Sequence, residues 1–324
     1  MTEWLSKDDK IIAKTSGSTG TPKEVVLKKE HMINSAYATA KKFDLKQGYK
    51  AVLALSCDNI AGKMMVVRAI ELGMELQAFP PEGNPYERIN GNYDFIAVVP
   101  MQIQKALNDT QSARKVENVR NTIIGGAPLN KNTYGMTETC SHVALKKLNG
   151  HDRSEYFELM PGVKADKDDN GRLILEASHL FNGEILTNDI VKLKNDKNFL
   201  FLGRYDNMVN TGGVKISPEI IENKLKNHIR FLMTSNIESS AMISQLKELK
   251  SKNFIISSKK NEELGEKLVL VIEGKDEGIN INAMKPDLSL LKYEIPKEVL
   301  SLQEFPRTRT GKVDRKEVKR KLGE

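Results

Sequence analysis

Between two apolar pairs, Ile11-Ile12 and Val25-Val26, the chain reads Thr15-Ser16-Gly17-Ser18-Thr19-Gly20-Thr21-Pro22-Lys23. Glycine lets backbone N–H groups come close to an anion, and hydroxyls add further donors. Lysine supplies a mobile point charge suited to phosphate. The flanking apolar pairs predict a strand on each side, so the stretch reads as a strand–loop–strand phosphate clamp or as a flexible Ser/Gly turn without a ligand. The Walker pattern is excluded, because no G-x-x-x-x-G-K-[ST] occurs in the chain.

After this loop the chain alternates between helix and strand. Lys29 to Phe43 is predicted helical, with Met32, Ile33, Ala36, Tyr37 and Ala40 along it. Ile60 to Leu72 is a second helix, with Met64, Met65, Val67 and Ile70 as core residues. Strands are expected at Ile11–Lys14, Val25–Leu27, Ala51–Leu55, Glu75–Phe79, Phe95–Val99 and Thr122–Ile124. Such alternation predicts an α/β sheet with helices on its faces, whose ligands sit beyond the carboxyl ends of the strands. The loops at 15–23, 56–62 and 125–128 all come after predicted strands, so they can converge.

From about residue 160 the texture changes to short strands and turns, as in an α+β fold. Asp168-Asp169-Asn170-Gly171 leads into a strand at Arg172–Ala177, and Asn195-Asp196 joins Val191–Lys194 to Phe199–Leu202 as a hairpin. Ser217-Pro218-Glu219 is a helix start, with proline at the first helical position. Later come a strand at Lys267–Ile272, a helix at Pro286–Leu291 and a basic helix at Lys312–Lys321.

The 324 residues suffice for about two domains. A formal charge of +7, spread along the chain, favours anionic ligands, and no zinc-finger or RNP-type pattern accompanies it to suggest nucleic acid. Cys57 and Cys140 form no C-x-x-C pair and read as small, semi-buried residues of a reducing compartment. No apolar run approaches the length of a membrane span, so the expectation is a cytoplasmic protein. The five histidines show no metal-ligand spacing.

Further stretches share one context with the loop: Gly125-Gly126-Ala127-Pro128, Tyr134-Gly135-Met136-Thr137-Glu138, Asp189, Gly203-Arg204-Tyr205-Asp206, Thr211-Gly212-Gly213 and Pro306 to Gly311-Lys312. Each alone has an ordinary explanation, such as an N-cap or a surface ion pair. Together and in order, they resemble the adenylate-forming superfamily of acyl-CoA synthetases, adenylation domains and luciferases. Within it, Tyr134–Asn149 is most similar to the o-succinylbenzoate–CoA ligases.

The resemblance implies a large core over 1–203, reduced at its N-terminus, a hinge at 204–206 centred on Asp206, and a small mobile lid over 207–324. It implies ATP, Mg²⁺ and coenzyme A as cofactors, a small-molecule carboxylate as substrate, and room for a homodimer. Thr15, Ser16, Gly17, Ser18, Thr19, Gly20, Lys23 and Thr137 would hold the phosphates. Gly125, Gly126, Ala127, Tyr134, Asp189 and Arg204 would hold adenine and ribose, with Tyr134 stacked on the base. Glu138 would hold Mg²⁺, Lys312 would serve adenylation with Lys23, and Gly212-Gly213 would serve the thioester step. Asn59, Gly135, Ser141 and His142 would line the acyl pocket. Ser141, His142 and Arg68 are candidate donors for the second carboxylate of an aromatic diacid, with a helix-surface position the preferred reading of Arg68. Other aryl- or acyl-CoA synthetases and carrier-loading adenylation enzymes are the alternatives. Only five residues separate Pro128 from Tyr134, where the family has a helix and a strand, and 230–252 is longer than usual.

Overall fold

The computed structural model describes residues 2–14, 23–126, 132–234, 248–249, 251–276, 278–280, 290–308 and 313–323, with 2 and 231–234 as backbone only. They fall into two compact units: 1–168, 173–187 and 193–200 in one, and 169–172, 188–192 and 201–324 in the other.

The first unit opens with a short helix, α1 (Thr2–Leu5), and a hairpin of β1 (Lys10–Lys14) and β2 (Glu24–Lys28). β1 alternates exposed and buried residues, as a strand with one wet face must. The ladder is antiparallel and closes at Lys14 against Glu24, so it clamps both ends of the Ser/Thr/Gly stretch. That stretch, Thr15 to Pro22, lies outside the described residues.

α2 (Lys29–Phe43) continues directly from β2 and ends on Asp44 in the left-handed region, at φ 50°. Then come β3 (Lys50–Leu53), α3 (Ile60–Leu72), β4 (Glu75–Ala78) and β5 (Tyr93–Val98). α4 (Pro100–Asn108), α5 (Thr110–Val116) and β6 (Val119–Ile124) complete the layer. The strands form a parallel sheet in the order β4-β3-β5-β6. Parallel strands covered on both faces need apolar residues on both, and β5 has them. Phe95 and Ala97 pack with Leu45, Met65 and Ala69 on one side. Ile96 and Val98 pack with Tyr86, Ile89 and Ala106 on the other.

An antiparallel sheet of β7 (Thr133–Gly135), β8 (His142–Leu145), β9 (Phe157–Leu159), β10 (Lys164–Lys167), β11 (Arg172–Glu176), β12 (Glu184–Asn195) and β13 (Asn198–Arg204) runs in the order β10-β11-β12-β13-β9-β8-β7. The helices α4 and α5 and the strands β7 to β10 were not legible in the sequence. The core helices were, although Ile70 and Tyr37 turn out to face solvent.

The second unit contains β14 (Val209–Thr211), β15 (Val214–Ile216), α6 (Pro218–Thr234), β16 (Phe254–Asn261), β17 (Gly265–Glu273), β18 (Glu298–Leu302) and α7 (Arg315–Lys321). Its sheet runs β15-β14-β17-β16, with β18 parallel to β17. Alternation along β17 builds two cores. Leu268, Leu270 and Ile272 face Ile221, Leu225 and Ile229 of α6. Val269 and Val271 face Phe305 and Val318. Of the predicted helix at Pro286–Leu291, residues 286–289 lie outside the described residues, and Leu290 and Leu291 are not helical. The basic helix starts at Arg315, not Lys312, because Asp314 caps it by accepting the Glu317 N–H at 3.1 Å.

Candidate active site

Strand β7 delivers the chain into a tight reversal between Met136 and Ser141. A 3-10 turn spans Thr137–Thr139 and leaves Glu138 at its exposed apex with Thr137 buried beneath. Thr139 Oγ1 accepts the Met136 N–H at 3.0 Å and lies 2.7 Å from the Ser141 carbonyl. Cys140 takes φ 60°, a cost that a non-glycine residue bears only where its surroundings hold it. Gly135 is required here. A Cβ on it would stand 2.2 Å from the Ser141 carbonyl oxygen, in backbone that cannot yield.

Glu138 opens onto a groove of about 250 Å³ lined by Val25–Lys28, His31 and the 180–185 segment. Asn182 Oδ1 accepts Lys28 Nζ at 3.4 Å on its rim. Burial, and then the charge of Lys28, lowers the pKa of His31. Both effects favour the neutral form of His31. Lys23 is exposed at the entry to β2.

Behind the turn lies a buried polar ring. Arg68 Nη2 donates to Ser141 Oγ at 2.7 Å, and Arg68 Nε donates to Thr39 Oγ1 at 3.3 Å. Ser141 Oγ lies 3.2 Å from His142 Nδ1, and His142 Nε2 lies 3.5 Å from Thr39 Oγ1. Thr39 donates its own proton to the Ser35 carbonyl at 2.8 Å. One assignment satisfies all of them: neutral His142 accepts from Ser141 at Nδ1 and donates from Nε2 to Thr39. Burial, with Arg68 nearby, pushes His142 down to about 3. Arg68 is only 2% exposed, so the expectation of a helix-surface residue is wrong. Burial lowers it to about 10, and it stays charged at pH 7. Met64 and Met65, four and three residues before it and both core, were the sequence signal for its inward face. Thr39 carried no such signal.

The remaining expected site residues are placed variously. Tyr134 is a correction: its ring is 1% exposed. It packs edge-on to Phe157 and Phe199, with centroids 5.8 and 5.1 Å away. Buried to that extent, the ring is covered by protein rather than open to a base. Asn59 is the exposed N-cap residue of α3, in the loop after β3. Gly125 and Gly126 lie just past the carboxyl end of β6, with Gly126 at φ 88°. β3 and β6 run parallel in one sheet, so these two loops lie at the same end of it. The convergence with 15–22 falls outside the described residues, as do Thr15 to Gly20, Ala127 and Lys312. Cys140 is buried and Cys57 exposed, rather than both semi-buried.

In the second unit, Arg204 and Asp189 meet, with Nη1 3.7 Å from Oδ1. Arg204 also grips Asp206 in a two-pronged pair, with both bonds at 2.9 Å. Burial raises the Asp206 carboxyl, and the hydrogen bonds and charge of Arg204 outweigh it, so the pKa is lowered. Gly212 and Gly213, at φ 57° and 80°, form the two-residue turn between β14 and β15. Positive φ at both central positions is the hairpin turn that matches strand twist, and glycine adopts it freely.

Among the described residues no group of three or more His, Cys, Asp or Glu side chains could hold a metal ion, and no helix is long and apolar enough to cross a membrane. A family model described as AMP-binding enzyme matches residues 3–173. A 2-succinylbenzoate–CoA ligase of Listeria innocua is 25% identical over 94% of this chain and 68% of its own. The structure of an acyl-CoA synthetase (AMP-forming)/AMP-acid ligase II-like protein from Dyadobacter fermentans aligns with TM-score 0.60 and 32% identity, over 99% of this chain and 92% of that one. That of the Bacillus subtilis O-succinylbenzoate coenzyme A synthetase, in complex with ATP and magnesium, aligns with TM-score 0.73 at 19% identity, over 95% and 69%.

Proposed function

The chain belongs to the family of AMP-binding enzymes, and from that premise we propose that it joins o-succinylbenzoate to coenzyme A with ATP as the driving reactant. A carboxylate oxygen of the acid attacks the α-phosphorus, the bond to the β-phosphate oxygen breaks, and pyrophosphate leaves. The thiolate of coenzyme A then attacks the acyl carbon, and AMP leaves with the bonding pair. The similarity over most of the chain to a 2-succinylbenzoate–CoA ligase carries the choice of acid.

The first step sets an anion against an anion, so its barrier is largely electrostatic. Lys23, beside the hydroxyl- and glycine-rich stretch, supplies positive charge to the phosphates, and the 15–20 stretch supplies N–H and O–H donors. Glu138 is a lone exposed carboxylate, which suits Mg²⁺: that ion takes one or two carboxylates and fills its other positions with phosphate oxygens and water. When bound, it would neutralise phosphate charge. Thr137 orients phosphate oxygens beside it. Asp189, held near Arg204, accepts hydrogen bonds from the ribose hydroxyls. Lys312 serves adenylation, and the Gly212-Gly213 turn serves the thioester step. Ser141 and His142 are engaged in the ring with Arg68, which argues against their gripping the second carboxylate directly. A cytoplasmic location and the absence of a nucleic-acid partner go with this reading.

The test is pyrophosphate release and coenzyme A consumption by purified protein with ATP and Mg²⁺. o-Succinylbenzoate should be turned over in preference to acetate, benzoate and long fatty acids. Equal turnover of a fatty acid overturns the choice of acid. Pyrophosphate release without consumption of free coenzyme A points to carrier loading instead.

A further inference from the structure

We propose that Trp4 is a positioning residue of this enzyme: its ring anchors the segment Glu3–Asp9, which ties the entry of α3 to the entry of α2 and so fixes the 56–62 loop beside the acid. The inference rests on the function proposed above, and it gives a role to residues ahead of the phosphate clamp that no motif marks.

The segment reaches two helix entries. Glu3 meets α3, with Oε2 2.9 Å from Lys63 Nζ. Ser6 and Asp9 meet α2, both at its first residue, Lys29. The Lys29 N–H donates to the Asp9 carbonyl at 2.8 Å, and Lys29 Nζ donates to the Ser6 carbonyl at 2.8 Å. Between these ends the Trp4 ring packs on the core that contains Ile11, Leu27 and Met64, as do Val25 of β2 and Ile60 of α3. Lys29 Nζ stands 5.9 Å from the centroid of the ring. A helix of four residues, such as α1, does not hold itself together in water, so outside contacts must hold it. The pair of Glu3 with Lys63 is largely exposed and contributes little by itself. Leu5 is 73% exposed and packs no core. The anchor is therefore the indole, whose apolar area is among the largest of any side chain.

What the segment holds follows from where the two helices start. α2 begins directly after β2, the strand by which the chain leaves the phosphate clamp. α3 begins directly after Asn59, and its first turn carries both Ile60 and Lys63. The two sides differ in what else holds them. β2 pairs with β1 all along, from Lys10 against Lys28 to Lys14 against Glu24, so the clamp stands without the segment. The loop before α3 belongs to no strand and rests on the first turn of that helix. Gly62 lies so close to it that a Cβ there would stand 2.2 Å from the Ser56 carbonyl oxygen. A shift of the first turn of α3 is therefore passed directly to Ser56 and the loop. Loss of the Trp4 anchor should act on the acid side of the site more than on the phosphate side. Misplacing a bound reactant by about 1 Å can cost about a hundredfold in rate.

The experiment uses the full chain, with Trp4→Ala, Trp4→Phe and Leu5→Ala. In pyrophosphate release with o-succinylbenzoate, Trp4→Ala should raise KM for the acid by about tenfold or more, while KM for ATP changes by less than about threefold. Trp4→Phe keeps an aromatic ring at the anchor and should recover most of the loss. Leu5→Ala should match the unaltered chain. If Trp4→Ala does not fold, Trp4→Leu carries the same comparison. Equal changes in the two KM values overturn the proposal. So does a lowered melting temperature with both KM values unchanged, which is what a merely structural anchor gives. If the unaltered chain releases no pyrophosphate with any acid, the functional reading fails. The tie itself is then read by hydrogen exchange: in Trp4→Ala, peptides covering 53–62 should lose protection and those covering 24–28 should keep it. Equal loss in both, or loss in neither, again overturns the positioning role.

Discussion

Replacing Arg315 with methionine should unfasten the second unit without touching the first. Arg315 opens α7, and its Nη2 contacts both oxygens of Glu222 at 2.7 Å, while Nη1 donates to the Ile256 carbonyl at 3.1 Å. Glu222 sits on α6, is 1% exposed, and also accepts the Ile256 N–H at 2.8 Å. One pair thus ties α6, β16 and α7 together. Burial raises the Glu222 carboxyl even though Arg315 opposes it. Removing Arg315 leaves a desolvated carboxylate with one backbone donor, a change that costs about 3–5 kcal/mol in comparable buried pairs. At about 1.4 kcal/mol per factor of ten, protection of the slowest amides should fall roughly a hundredfold to a few thousandfold. Hydrogen exchange by mass spectrometry reads this directly: peptides covering 254–272 should lose protection, while those covering 93–98 should not. Tryptophan fluorescence is unsuited, because the single Trp4 belongs to the first unit. The pH dependence has a definite sign. In the variant the folded-state pKa of Glu222 rises further above its unfolded value, so the carboxyl binds a proton more readily folded than unfolded. The deficit relative to the unaltered chain is therefore full above that raised pKa and shrinks as pH falls through it. The double variant Arg315→Met/Glu222→Leu should recover most of the loss, because an apolar pair of similar volume carries no desolvated charge. A loss of protection below about fivefold at neutral pH, or no recovery in the double variant, would refute the reasoning.

Lys312→Ala should slow adenylate formation by about a hundred- to a thousandfold, since one lost transition-state donor commonly costs about 2.7–4 kcal/mol. Pre-formed acyl-adenylate should still react with coenzyme A at close to the native rate, and equal damage to both steps would contradict the assigned role. Gly135→Ala places a Cβ 2.2 Å from the Ser141 carbonyl oxygen, so the turn must open. Overpacking of this kind costs about 1–3 kcal/mol, and the Mg²⁺ requirement should rise with it; an unchanged melting temperature and metal dependence would show the reversal to be loose.

Much of the architecture was legible because it rests on local rules. The ends of α2 and α3 are set by the apolar pattern of each helix and by stops at Asp44 and Gly73. The hairpin at Asn195-Asp196 is signalled by turn residues between two short strand-like runs, and β12 ends at Asn195 with its neighbour β13 starting at Asn198. The ordered motifs, from Thr15 to Lys312, told the family, because residue types in sequence suffice to identify chemistry that needs them in common. Side-chain direction was another matter. Tyr134 looked like a platform for a base, and tertiary packing laid it against Phe157 and Phe199. Arg68 looked like a surface residue, and the packing of α3 turned it inward to Ser141 and Thr39, which lie 73 and 29 residues away in the chain. Arg315 and Glu222 are 93 residues apart and carry no mutual mark in the sequence. Periodicity reports which face of an element is apolar, but a polar residue on that face can be compensated only by partners that the tertiary fold brings there. The chemistry of this chain was therefore written in its linear order, while the setting of its buried charges was decided when distant elements packed.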